Sequence, residues 1–190
     1  PVNTGILPIV VTYTVTPTAT GCVGADFDIV VTVDPIPSVT NAVLSTVKCS
    51  GDGALSFTPT VDVASSSYTW TSAIVGTISA GSVTPTGTDV AITDNPINTG
   101  NTAGTVTYTI VPTGPGGTAC VGSSVDYVVT VDPIPDVLAS DETICSGETS
   151  NVLITNPNGV TGTSYSWSQV ATNVSGSFDA SGSVIAQPLT

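Results

Sequence analysis

Histidine and methionine are absent from this 190-residue chain, and Lys48 is its only basic residue against 14 acidic ones, a net charge of −13. Nucleic-acid binding needs Lys and Arg to neutralise phosphates, and no basic patch exists to do so. Anionic membrane surfaces repel such a chain. No apolar run approaches the length of a membrane span. Without imidazole a Ser triad has no base, and general acid–base work would fall to carboxylates alone. No closely spaced cysteine pair offers a tetrahedral zinc site. Aromatic residues make up 5% of the chain, which leaves little stacking surface for a ligand. The expectation is a protein that is not an enzyme, with no cofactor, no metal, no nucleic-acid partner and no membrane span. A trypsin-like protease has one cut, after Lys48.

What is present is Val, Ile and Ala interleaved with Thr and Ser. β-Branched side chains lose χ1 freedom in helices and pack well on pleated sheets. Mean hydropathy is positive despite the charge, so the chain does not read as disordered. Its 19 Gly and 14 Pro are spread throughout and break any long helix.

The sequence repeats itself. PVNTG at 1–5 returns as PINTG at 96–100. GCVGADFDIVVTVDPIP (21–37) returns as ACVGSSVDYVVTVDPIP (119–135), KCSGD (48–52) as ICSGE (144–148), and SYTWTS (67–72) as SYSWSQ (164–169). The offset wanders between 95 and 98, as short loop insertions make it do. No leader is recognisable. The tail stops about where the head begins, so the chain reads as two repeat-lengths of a longer product, cut in mid-repeat.

Alternation predicts strands with an inner stripe of Val11, Tyr13 and Val15, and another of Phe27, Ile29, Val31 and Val33; Val106, Tyr108, Ile110 and Val125, Tyr127, Val129, Val131 repeat them. Asp34-Pro35-Ile36-Pro37 and Asp132-Pro133-Ile134-Pro135 read as stiff linkers, because each Pro fixes φ and lacks a backbone donor. About seven short strands in 95–100 residues is the pattern of an immunoglobulin-like sandwich. Residues 1–34 are then the C-terminal half of one repeat, 35–134 a complete repeat, and 135–190 the N-terminal half of the next. Trp70 and Trp167 stand where such sandwiches bury a strand-C tryptophan. Tyr108-Thr109-Ile110 resembles a tyrosine-corner segment. Tyr13, Trp70, Tyr108 and Trp167 are the expected core aromatics.

Ile144-Cys145-Ser146-Gly147, Asn98-Thr99-Gly100 with 103–109 (AGTVTYT), and Val128-Val129-Thr130-Val131 together resemble the PKD-like and Ig-like tandem repeats of large Bacteroidetes cell-surface adhesins. The resemblance covers the whole chain. It implies an all-β architecture of tandem immunoglobulin-like (PKD-like) β-sandwich repeats, an extracellular stalk role, and no catalytic residues to carry over. Lys48, where the second repeat has Ile144, and the longer Gly114-Pro115-Gly116-Gly117 turn depart from it.

Cys22 and Cys120 share one repeat position, and Cys49 and Cys145 another. An even number in an extracellular context predicts disulfides. Pairing within one repeat gives Cys49–Cys120, and in an assembled fibre brings Cys145 near Cys22 of the next copy. Pairing across the linkers gives Cys22–Cys49 and Cys120–Cys145. The first is preferred, because a domain-internal bond fixes each repeat independently.

Asp34, Asp132, Asp136, Asp141 and Glu142 gather near the linkers, as calcium ligands do in some tandem ectodomains, but without EF-hand spacing they read as solvated charge. Asp26 and Asp28 sit on an outer strand face. The rows Thr12, Thr14, Thr16 and Thr105, Thr107, Thr109 read as the polar face of half-buried strands. Asn173-Val174-Ser175 fits a glycosylation acceptor.

The expected function is a structural module of an extracellular fibre or adhesin stalk at the cell surface, partnered head-to-tail by neighbouring copies of the same repeat. The alternative is a glycan- or protein-binding Ig-like module of an adhesin, its ligand unknown.

Overall fold

A computed structural model describes residues 2–117, 119–170, 172 and 181–189. They form an all-β chain without α-helix; one 3-10 turn spans Ala80–Ser82. The strands are β1 (Ile9–Val15), β2 (Thr18–Ala19), β3 (Cys22–Val23), β4 (Phe27–Val33), β5 (Ser45–Cys49), β6 (Ser67–Val75), β7 (Thr86–Thr88), β8 (Gly104–Thr113), β9 (Val125–Asp132), β10 (Val152–Leu153) and β11 (Val184–Ile185).

The middle of the chain holds a five-stranded sheet in the order β5-β9-β8-β6-β7. Its pairings are antiparallel except β5 with β9, which is parallel and sets Cys49 opposite Asp132. Extended segments form a second layer. Val39 bridges Val61, and Phe57 bridges Ile92. The alternation read from the sequence is obeyed on β8, where every second residue from Gly104 is buried. Val106, Tyr108, Ile110, Val129 and Val131 face Leu55, Phe57 and Ile92 of the second layer in one core.

Aromatic geometry locks the two layers. Phe57 of the second layer stacks on Tyr127 of the sheet with ring centroids 3.9 Å apart, and within the sheet Trp70 of β6 meets Tyr108 of β8 edge-on at 5.5 Å. Such pairs add about 0.5–1.5 kcal/mol each beyond burial. The Trp70 indole N–H donates to Val90 O at 3.1 Å. Gly87, its cross-strand partner, leaves room for the ring: a Cβ there would lie 2.4 Å from it.

The flanking segments are built differently. β1 and β4 pair in full register, Ile9 with Val33 through Val15 with Phe27, but pack chiefly on each other. Tyr13 is therefore no core residue in this chain. It is 49% exposed, whereas its counterpart Tyr108 is 0% exposed, because among the described residues no second sheet lies over β1 and β4. Beyond the second linker, β10 pairs with β11, and isolated bridges join Leu138 to Thr155 and Thr149 to Pro188. Trp167 is only half-buried, and its indole nitrogen has no hydrogen-bond partner among the described residues. The Asn173 acceptor pattern lies outside the described residues.

Candidate functional site: repeat junctions and an uncovered sheet face

The chemistry of this chain concentrates at its repeat boundaries. Neither linker carries strand structure across its prolines. At the first boundary, the β8–β9 hairpin of the central unit sits on the linker before it. Gly122 donates its N–H to Pro112 O and lies so close to Pro37 that a Cβ would fall 2.0 Å from the Pro37 carbonyl oxygen. A Cβ on Gly116, at the hairpin turn, would lie 3.3 Å from the Asp34 carboxylate. At the second boundary, Asp132, Pro133 and Pro135 line an open groove of about 430 Å³ with Asn101, Thr102 and Val160. Gly159 faces the Asn101 side chain across it.

Each boundary is pinned by an asparagine. Asn98 Nδ2 donates to Thr102 O and Val131 O, and its Oδ1 accepts the Gly100 N–H. Asn98 also donates its backbone N–H to Ser50 Oγ, which donates in turn to Asn98 O. Sequence reading used 98–100 only as a repeat marker; the recurrence of Asn-Thr-Gly at 3–5 was the available signal.

Four cysteines flank these boundaries, and the structure corrects their expected pairing. None forms a disulfide here. Cys49 ends β5 beside Asp132, at the downstream end of the sheet. Cys120 lies in the hairpin before Val125, its carbonyl accepting the Gly114 N–H, at the upstream end. Seven strand steps, about 23 Å, separate those ends. A disulfide allows Cα atoms no more than about 7 Å apart, so Cys49 and Cys120 of one repeat do not pair. The linker-spanning alternative fails as well. Cys22 precedes β4 and so lies upstream of its unit, while Cys49 lies downstream of the next; Cys120 and Cys145 are separated in the same sense.

The acidic residues act as local fasteners. Thr14 donates to Asp28, Thr16 to Asp26 and Thr109 to Asp126, the first and last being one contact repeated. Asp136 and Glu142 accept the N–H groups of Val137 and Asn151. No group of three or more His, Cys, Asp or Glu that could hold a metal ion occurs among the described residues. Asp94 accepts the Tyr108 hydroxyl at 2.7 Å and both donors of Thr84. This is the tyrosine-corner position, bonded to a carboxylate. Burial first, then the bond to Asp94, pushes the Tyr108 hydroxyl well above the ordinary phenol range.

Among the described residues the inner face of β1 and β4 is covered by no other sheet. Phe27 is 69% and Ile29 45% exposed, while Tyr127, which holds the place of Ile29 in the central repeat, is 5% exposed. A second apolar surface lies on the other flank. Val137, Ile154, Tyr165, Trp167 and Ile185 line an apolar groove of about 380 Å³.

An all-β sandwich with upstream and downstream linkers at opposite ends is the architecture of a tandem domain. The PKD-like domain family matches residues 2–37 and 46–135. The chain belongs to that family. No curated protein matches it, and no solved structure does.

Proposed function

We propose that this chain is a structural repeat segment of an extracellular fibre or adhesin stalk, without catalytic activity, whose flanking units are completed head-to-tail by neighbouring copies. One contrast carries the reading. The stripe that is buried at Val106, Tyr108 and Ile110 lies exposed at Tyr13 and Val15 and only half-buried at Val11. An exposed, patterned sheet face is an aggregation hazard unless something covers it. The occupant is the 135–190 segment of a second copy. In the central repeat Phe57 of the second layer covers Tyr127 of β9, and Trp70 of the neighbouring strand β6 closes the same inner face edge-on to Tyr108; Trp167 is the repeat counterpart of Trp70. A tail-to-head contact is heterologous and does not close on itself, so it yields an open filament. PKD-like membership supports the extracellular placement. No helix among the described residues is long and apolar enough to cross a membrane.

Sedimentation velocity of the full chain under reducing conditions tests this. Concentration-dependent linear oligomers are the expected result. A single monomeric species across the accessible concentration range overturns it.

A further inference from the structure

Resting on the head-to-tail reading, we propose that the cysteines form disulfides across repeat junctions: the thiol that ends β5 of one repeat bonds the thiol in the β8–β9-type hairpin of the repeat that follows. The two positions approach the same linker from opposite sides. On the upstream side, Cys49 is strand-adjacent to Asp132, the first residue of the second linker. On the downstream side, the first linker shows where a following repeat puts its hairpin. The turn of that hairpin reaches Asp34, the repeat counterpart of Asp132, and Gly122 presses on Pro37 two residues after Cys120. A hairpin seated in the same way on 132–135 brings its cysteine within two or three residue lengths of Cys49, about 10 Å. A shift of the turn after Cys49 closes the remainder. Gly51 and Gly53 both have positive φ, at 69° and 73°.

In a head-to-tail assembly the pairs are specific. Residues 1–34 of the following copy complete the unit begun by 135–190. That sets Cys22 of the following copy beside Cys49, and Cys120 of the following copy beside Cys145. Cys22 keeps the hairpin geometry needed. It pairs with Ala19 across a two-residue turn, and Gly24 donates to Pro17 O as Gly122 does to Pro112 O. Cys22, Cys49 and Cys145 are exposed. Each bond forms by thiol–disulfide exchange. Two cysteine thiols lose two electrons and two protons, and an external disulfide oxidant, such as an oxidised small thiol, is reduced to two thiols.

The test uses the full chain, mixed from isotope-labelled and unlabelled batches and allowed to associate under reducing conditions. It is then oxidised with oxidised glutathione and digested without reduction by an Asp/Glu-specific protease for mass spectrometry. The expected products are Cys49–Cys22 and Cys145–Cys120 peptides of mixed isotope origin. C49S should abolish the first pair and leave the second. Links joining Cys49 to Cys120, or Cys145 to Cys22, overturn the proposal, and so do four glutathione adducts in a sample that sediments as oligomers. A reduced sample that sediments only as monomer overturns the head-to-tail reading itself, and the cross-junction pairing with it.

Discussion

Asn3 and Asn98 make the same three side-chain hydrogen bonds, two from Nδ2 to carbonyls and one accepted by Oδ1. The partners of Asn3 are Leu7, Val33 and Gly5; those of Asn98 are Thr102, Val131 and Gly100. The repeat is thus atomic as well as sequential. The two sites differ only in depth: Asn98 is buried and adds the exchange with Ser50, and Asn3 is half-buried. N98A should destabilise the central unit by about 3 kcal/mol, since it strands buried backbone groups. N3A should cost no more than about 1 kcal/mol in the unassembled chain. Denaturant unfolding of both variants measures the difference; equal effects would contradict it.

Tyr108→Phe removes the hydroxyl from Asp94 and is expected to cost about 1–2 kcal/mol at neutral pH, read as a lower unfolding midpoint.

The same hydroxyl sets an alkaline limit. Burial raises Tyr108, Tyr127 and Tyr68, and for Tyr108 and Tyr68 nearby carboxylates add to it. A raised folded pKa means the native state holds the proton more tightly than the unfolded chain. The stabilisation is fully present below the ordinary phenol value of 10.0 and is lost as pH rises above it. Stability should therefore be flat through neutrality and fall above that value. Thermal unfolding against pH, with phenolate absorbance in parallel, checks this. Tyrosines that all ionise at 10.0 without unfolding would refute it.

Gly87→Ala should loosen the central core, because its Cβ would enter the Trp70 ring. Overpacking of this kind costs about 1–3 kcal/mol. Red-shifted tryptophan emission together with a lowered midpoint is the expected signature.

Phe27→Ser combined with Ile29→Ser should weaken association without touching the central unit, since both side chains lie exposed on β4. A lower sedimentation coefficient with an unchanged main unfolding transition is expected. Unaltered association would remove this face from the contact.

Much of the sheet was legible because alternation is a local signal. β1, β4, β8 and β9 fall where alternation put strands, and on β8 and β9 the stripes Val106–Tyr108–Ile110 and Tyr127–Val129–Val131 are buried as read, whereas those of β1 and β4 are not. Trp70 and Tyr108 are buried as their positions in the repeat implied. Burial itself is not local. Tyr13 has the same neighbours in sequence as Tyr108, yet depends on a covering layer that this chain does not place over it. The cysteine pairing was misread for a related reason. Equal repeat spacing says nothing about which end of a sheet a residue occupies, and that is decided by the parallel register of β5 on β9. Lys48 looked like a departure from the pattern; its ammonium bonds the carbonyl oxygens of Gly53 and Ala54 in the turn that follows.

That parallel register also decides how the domain meets tension. The chain enters the central unit at its upstream linker and leaves from the end of β9, so a pull between the two linkers drags β5 and β9 past one another. Five residue pairs, Ser45 with Val128 through Cys49 with Asp132, lie across that line of slip. Loaded in shear, their hydrogen bonds share the force and must rupture together instead of unzipping singly from one end. The first and last strands of the repeat thus act as its mechanical clamp.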